Sequence, residues 1–403
     1  MTVTIVPRPL AGRVTAPPSK SMGHRALIAA ALSDGVSRIS GIAASEDILA
    51  TIDCLRALGA SIEISGDVAT VRGFDVRTAR PTAPLPCRES GSTLRFLLPL
   101  CWLSGNGARL VGSERLLARP LSVYREIAEA RGLTFSLSDG GLSVGGRLTG
   151  GEYAVRGDVS SQFITGLLFA LPLTEEGGTL RLLPPVESRS YIDLTLEMLS
   201  RFGAPVRAEG EVLYAEPVRA LTPCEVTVEG DYSNAAFFEA LRVLGHDVEV
   251  TGLAPDSRQG DRVYREYFAA LGAGTPTLSL ADCPDLGPIL MAVAAAKNGA
   301  VFLDTARLSI KESDRGAAMA EELSKLGTRV TVEKNRITVE GGTLSSPRAP
   351  LCGHNDHRIV MALATLATLV GGCIEGAEAV KKSLPEYFEI LTQLGAEVTY
   401  EAK

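Results

Sequence analysis

A short glycine signature recurs six times along the 403 residues, at Leu58-Gly59-Ala60, Arg131-Gly132-Leu133, Phe202-Gly203-Ala204, Leu271-Gly272-Ala273, Leu326-Gly327-Thr328 and Leu394-Gly395-Ala396. The glycines are 73, 71, 69, 55 and 68 residues apart. Near-constant spacing means copies of one supersecondary unit rather than a single irregular core. Each glycine follows an amphipathic pattern such as Ile48, Ile52, Leu55 and Leu58, and is placed to end a helix in the left-handed conformation. Most are followed by alternating segments that predict hairpins, such as Thr134–Ser138 with Gly141–Val144, and Arg329–Glu333 with Arg336–Glu340. A second helix per unit is apolar nearly all round and so should be buried. These run from Arg25 to Leu32, Leu94 to Leu103, Phe163 to Leu171, Ala235 to Leu244, Gly287 to Ala296 and Ile359 to Val370.

A chain of this length exceeds one core, so six units predict an α/β protein of two domains with three units each. The first three units cover about Ser19 to Thr227, the last three Val228 to Lys403. The N-terminal strand Val3–Val6 must pair somewhere, and closing the second set is one option that pattern alone leaves open. The buried helices would lie parallel, with several N-termini facing a cleft.

A net charge of −7 argues against a nucleic-acid or membrane-surface binder. Seven scattered cysteines without a Cys-x-x-Cys fit a reducing compartment and no disulfide framework. Met1 to Leu10 has no apolar core of a signal peptide, and the runs Phe96–Leu103 and Phe163–Leu173 are too short to span a bilayer. The expected location is cytoplasmic.

Against this acidic background, cations gather at helix entrances. Ser19-Lys20-Ser21-x-x-x-Arg25 puts two positive charges and free backbone N–H groups at one helix start, a seat for phosphate or carboxylate. No glycine run precedes the lysine, so it is not a nucleotide P-loop. Lys20 should be exposed. Glu89-Ser90-Gly91-Ser92-x-x-Arg95, Arg119-Pro120, Ser160-Ser161-Gln162, Lys311-Glu312-Ser313-Asp314-Arg315, Asn355-Asp356-His357-Arg358 and Lys382-Ser383-Leu384-Pro385 mark further entrances. A carboxylate beside a lysine, as at Lys311-Glu312, can exchange protons with a substrate when burial tunes it. Taken singly, each has a plainer reading as a cap, a salt-bridged first turn or a solvated cation. His354 and His357 could pair on a metal, but a third ligand is not evident. The residues alone thus reach a cleft enzyme acting on phosphorylated or carboxylated small molecules.

In order and over nearly the full length, these motifs resemble the 5-enolpyruvylshikimate-3-phosphate synthase family. The resemblance implies the enolpyruvyl transferase fold, an inside-out α/β barrel with three βαβαββ-type units per domain around buried parallel helices. It puts the domains at 19–228 and at 1–18 plus 229–403, the N-terminal strand belonging to the second. It implies transfer of the enolpyruvyl group of phosphoenolpyruvate to the 5-hydroxyl of shikimate 3-phosphate, with no metal or organic cofactor, by a monomer with no nucleic-acid or membrane partner. Lys20, Ser21, Arg25, Ser160, Ser161, Gln162, Ser188, Asp285 and Lys311 would hold shikimate 3-phosphate, with Tyr191 nearby. Lys20, Gly91, Arg119, Gln162, Arg315, Arg358 and Lys382 would hold phosphoenolpyruvate. Lys20, Asp285, Lys311 and Glu312 would be catalytic, Asp285 accepting the 5-hydroxyl proton and Glu312 protonating the enol carbon.

The chain departs from the common pattern at Glu89, Ser92, Phe96 and Ser309, where many members have Asn, Thr, Pro and Arg. Glu89 should turn outward or pair with Arg88 or Arg119. Two rivals are the transferase acting on UDP-N-acetylglucosamine, whose family uses a loop cysteine acid in an Arg/Gly-rich loop not matched here, and a non-catalytic phospho-ligand binder, which would not need the acid–base set.

Overall fold

The computed structural model describes residues 1–401. The chain forms a first domain, Pro18–Glu229, and a second made of Met1–Pro17 and the chain from Gly230 onward. The first domain carries helices α1 (Lys20–Ala31), α2 (Glu46–Leu58), α3 (Gly91–Leu103), α4 (Glu114–Ala118), α5 (Ser122–Arg131), α6 (Ser161–Ala170) and α7 (Arg189–Arg201). The second carries α8 (Tyr232–Val243), α9 (Tyr264–Ala273), α10 (Gly287–Ala296), α11 (Arg315–Lys325), α12 (His357–Val370) and α13 (Tyr387–Gln393). Each domain has its own hydrophobic core.

Helices α1, α3, α6, α8, α10 and α12 are the predominantly apolar ones, and they are sunk in those cores. In α3 every residue except Ser92 is buried. Close approach is built in at Gly166 of α6, where a Cβ would collide with the Tyr124 hydroxyl and the Arg95 carbonyl oxygen. Tyr124 donates to that carbonyl at 2.6 Å, which locks α5 to α3 beside α6. The remaining longer helices are amphipathic and lie between core and surface.

Five units share one sheet plan: a parallel pair followed by two antiparallel neighbours. In the second unit Leu85–Arg88 pairs parallel with Gly105–Gly112, then Gly141–Gly146 and Thr134–Ser138 follow antiparallel. The third and fifth units repeat this with Gly151–Arg156 beside Gly178–Leu183, and Thr277–Ser279 beside Gly299–Leu303. The first and fourth units exchange their leading strands. Ala11–Thr15 runs into α1 yet pairs with Asp247–Thr251 of the fourth unit. Glu225–Thr227 runs into α8 yet pairs with Val36–Ser40 of the first. In the sixth unit Thr2–Val6 is an inner strand of the sheet, antiparallel to Gly372–Glu375 on one side and to the edge strand Glu397–Glu401 on the other.

Five of the six signature glycines, Gly59, Gly132, Gly203, Gly327 and Gly395, have φ between +65° and +130° where a helix turns back into a strand. Gly272 departs from the sequence expectation. It lies inside α9, which continues to Ala273. No hairpin follows α9, so no tight turn back is needed there; the next strand, Thr277–Ser279, already leads the fifth unit. The missing hairpin also accounts for the short 55-residue interval. No helix among the described residues is long and apolar enough to cross a membrane.

Candidate active site

In the first domain, α1, α3 and α6 begin on serine caps. Ser19, Ser90 and Ser160 accept from the N–H groups of Met22 (3.4 Å), Thr93 (3.2 Å) and Gln162 (3.3 Å). Each cap satisfies one of several orphan amides of the first turn and leaves positive potential there. Lys20 differs from expectation: its side chain is only 14% exposed and its Nζ lies 2.8 Å from Asp47 of α2. Ser45 caps α2 and so puts Asp47 in a first turn, where the helix dipole favours a carboxylate. Sequence reasoning missed Asp47, although Ser45-Glu46-Asp47 carries the cap-and-acid signature of a helix start.

Arg25 is buried and splayed across three helices. Its guanidinium donates to Thr195 Oγ1 (2.9 Å), Thr165 Oγ1 (3.3 Å), the Ser21 carbonyl (2.7 Å) and the Tyr191 carbonyl (2.9 Å). Burial brings its pKa down to about 10. Ser188, before α7, is buried with φ +55°, and Ser161 is buried on the first turn of α6. Gly91 opens α3 with no side chain, and that space is used: a Cβ there would lie 2.7 Å from Arg119 Nη1. Gln162 accepts from Arg95 Nη1 at 2.6 Å and donates to Ser92 Oγ at 3.0 Å, which ties the α3 and α6 entrances together. Of the departures, Ser92 is therefore a partner of Gln162. Phe96 is buried against His24 and Phe169, and Ser309 is exposed, capping back to the Ala306 carbonyl. Arg88 binds Glu46 and Asp53 (2.7 Å), so its guanidinium is already engaged away from Glu89.

The second domain gathers its charges more tightly. Asp285, just ahead of α10, receives Arg315 Nη1 at 2.8 Å, Lys311 Nζ at 3.2 Å and Arg358 Nη2 at 3.3 Å. Arg315, the first residue of α11, also binds Glu312 at 2.8 Å and Asp356 at 2.9 Å. Asp356 takes a further bond from Ser313 Oγ at 3.0 Å and caps α12 through the Arg358 N–H at 2.9 Å. Burial alone would raise the Asp285 pKa, but Arg358, Lys311 and Arg315 outweigh it and hold the carboxyl well below its ordinary range. Burial pushes Lys311 down against the pull of Asp285. Lys382 Nζ donates to the Asn355 carbonyl at 2.6 Å, three residues before Arg358.

The structure thus joins Asp285, Lys311, Glu312, Arg315 and Arg358 in one cluster, Gly91 with Arg119, and Arg25 with Ser21 and Tyr191. The two histidines do not share a metal geometry: His354 Nε2 faces Glu322 Oε1 at 2.9 Å, while His357 is buried at the start of α12. Among the described residues, Glu321, Glu322 and His354 are close enough for a cation, but the Lys325 ammonium already sits 2.9 Å from Glu322. Sequence reasoning also gave no role to Ser313, Asp356 or Glu322, whose partners are far along the chain.

Comparison with known proteins follows the same lines. Residues 5–391 match the family model described as EPSP synthase (3-phosphoshikimate 1-carboxyvinyltransferase). The 3-phosphoshikimate 1-carboxyvinyltransferase of Clostridium kluyveri is 38% identical over 422 residues, covering 98% of each chain. That of Clostridioides difficile is 35% identical over 429 residues, covering 98% of this chain and 97% of the other. A solved EPSP synthase structure from Acinetobacter baumannii superposes with a TM-score of 0.80 at 22% identity, over 99% of this chain and all of the other, which shows the same fold.

Proposed function

The chain belongs to the EPSP synthase family, and on that premise we propose how its residues divide the reaction, the transfer of the enolpyruvyl group of phosphoenolpyruvate to the 5-hydroxyl of shikimate 3-phosphate with release of phosphate. The observation that carries the reading is the Asp285 carboxylate, held by three cations beside Glu312.

Before substrates bind, those cations make Asp285 a weak base. Anionic substrates change this. A carboxylate or phosphate arriving at Arg315, Arg358 and Lys311 neutralises the charges that depress Asp285, and its basicity rises when it is needed. Asp285 then takes the 5-hydroxyl proton as that oxygen attacks C2 of phosphoenolpyruvate, and Glu312 delivers a proton to C3. The product of addition is a tetrahedral intermediate with a new methyl group. Return of a methyl proton to the Glu312 carboxylate and departure of phosphate with the C–O bonding pair restore the carbon–carbon double bond. Cations and helix N-termini stabilise charge on the leaving phosphate.

Ser21, Arg25, Ser160, Ser161, Gln162, Ser188 and Lys311 hold shikimate 3-phosphate in this scheme. Gly91, Arg119, Gln162, Arg315, Arg358 and Lys382 hold phosphoenolpyruvate, and Lys20 serves both substrates. Lys20 exchanges its Asp47 partner for substrate oxygens. The enzyme works as a cytoplasmic monomer.

The test follows inorganic phosphate from the purified protein given phosphoenolpyruvate and shikimate 3-phosphate. Release is expected, falling at least about 100-fold in Asp285→Ala, the scale of one lost general base. No release at saturation, or release with UDP-N-acetylglucosamine instead, would overturn the reading.

A further inference from the structure

We propose that His24, acting through Thr51 and Thr93, is a positioning residue that fixes the entrance of α3, and with it the seat at Gly91. The inference rests on the assignment of Gly91 to phosphoenolpyruvate made above. Four buried side chains form an unbroken line across α1, α2 and α3. His24 Nδ1 meets Thr51 Oγ1 at 2.8 Å, Thr51 Oγ1 meets Thr93 Oγ1 at 2.7 Å, and Thr93 Oγ1 meets Ser90 Oγ at 2.7 Å. None is more than 1% exposed.

The line has a direction. Thr93 donates its only hydroxyl proton onward, to Ser90 Oγ or to the Asp47 carbonyl at 3.4 Å. It must therefore accept from Thr51. Thr51 has then spent its own proton and must accept from His24. The ring is thus the tautomer with hydrogen on Nδ1, and Nε2 is a bare acceptor. Nε2 is indeed a buried atom with no hydrogen-bond partner in the protein. A neutral ring fits its surroundings, since burial, Lys20 and Arg25 all press its pKa well below the ordinary value.

At its far end the line grips the cap. Ser90 Oγ receives both the hydroxyl and the backbone N–H of Thr93, which sets the first turn that Gly91 and Ser92 share. The network also touches the backbone of Asp47, whose carboxylate holds Lys20. One chain of hydrogen bonds therefore ties the spacing of Lys20 to the amides at Gly91. No solvent can replace a missing link at such depth.

Thr51→Val removes the middle link with little change of shape, and Thr51→Ser restores the hydroxyl. Steady-state kinetics should show the KM for phosphoenolpyruvate raised roughly three- to tenfold in Thr51→Val, about the worth of one buried hydrogen bond. The KM for shikimate 3-phosphate should be unchanged, and Thr51→Ser should behave like the parent. Nitrogen-15 NMR of the whole protein should find hydrogen on Nδ1 of His24, and that preference should be lost in Thr51→Val. Hydrogen on Nε2 in the parent, or any other pattern of KM changes, overturns the proposal. The NMR measurement stands even if the parent shows no turnover, a result that would sink the assigned reaction instead.

Discussion

Arg315 is buried to the last few atoms yet touches three carboxylates, Asp285, Glu312 and Asp356. Burial would lower its pKa, but those partners raise it, and a planar five-donor fork is what lets one cation serve all three. Arg315→Lys keeps the charge and loses the fork. A loss of about 3 kcal/mol in urea denaturation is expected, because carboxylates stay buried without their donors, and turnover should vanish with it. His24 gives the opposite lesson in pH. Its folded pKa lies below the unfolded value near 6.5, so below that pH the unfolded chain binds a proton that the folded chain does not. Stability contributed by the neutral ring is therefore full above about pH 6.5 and falls by up to about 1.4 kcal/mol per unit of acidification, until the folded pKa is reached. Denaturation at pH 7 and pH 5 should show this slope reduced in His24→Gln. Of these two residues, Arg315 was visible in the sequence as part of a charged helix entrance. His24 was not, since a histidine just ahead of an apolar run carries no sign of its role until its partners on α2 and α3 are known.

Elements were legible where local chemistry decides them. The six buried helices followed from predominantly apolar composition, and the hairpins from alternation around Asp139-Gly140 and Lys334-Asn335. Gly272 was misread because the same tripeptide that ends other helices lacks a hairpin to enter. What composition could not show is how tightly elements meet. Gly166 has ordinary helical neighbours, yet its missing Cβ is what admits Tyr124. Gly166→Ala should cost about 1–3 kcal/mol by overpacking, despite improving helix propensity; a thermal melt that moves upward would contradict it. The turn before α12 is another case. His354 and Asn355 both have φ near +50°, and α11 steadies them through buried Glu322, which accepts from Lys325, His354 and the Cys352 N–H. Glu322→Ala strips all three and leaves that turn unsupported. A several-fold rise in the KM for phosphoenolpyruvate and a loss of about 3 kcal/mol are expected.

The exchange of leading strands is a property of the whole molecule. Residues 18–229 hold every strand of the first domain, whereas the second borrows Thr2–Val6 and Ala11–Thr15 from the far end of the chain. A fragment spanning 18–229 should fold on its own, with cooperative melting. One spanning 230–403 should not, until a peptide of residues 1–17 is added; circular dichroism and hydrogen exchange at Gly372–Glu375 would read this directly. The repeat made six units visible in advance, but pairing between Thr2 and Glu401 is set by three-dimensional closure, and alternation carries no trace of a partner so distant. During synthesis at roughly 5–20 residues per second, a chain of this size takes on the order of a minute or less to emerge. Between its own synthesis and theirs, the strand Thr2–Val6 has neither of its neighbours, because Gly372–Glu375 and Glu397–Glu401 lie hundreds of residues further along the chain. The first domain can mature while translation continues, but the second must wait, with an apolar strand in the open that chaperones are suited to shield.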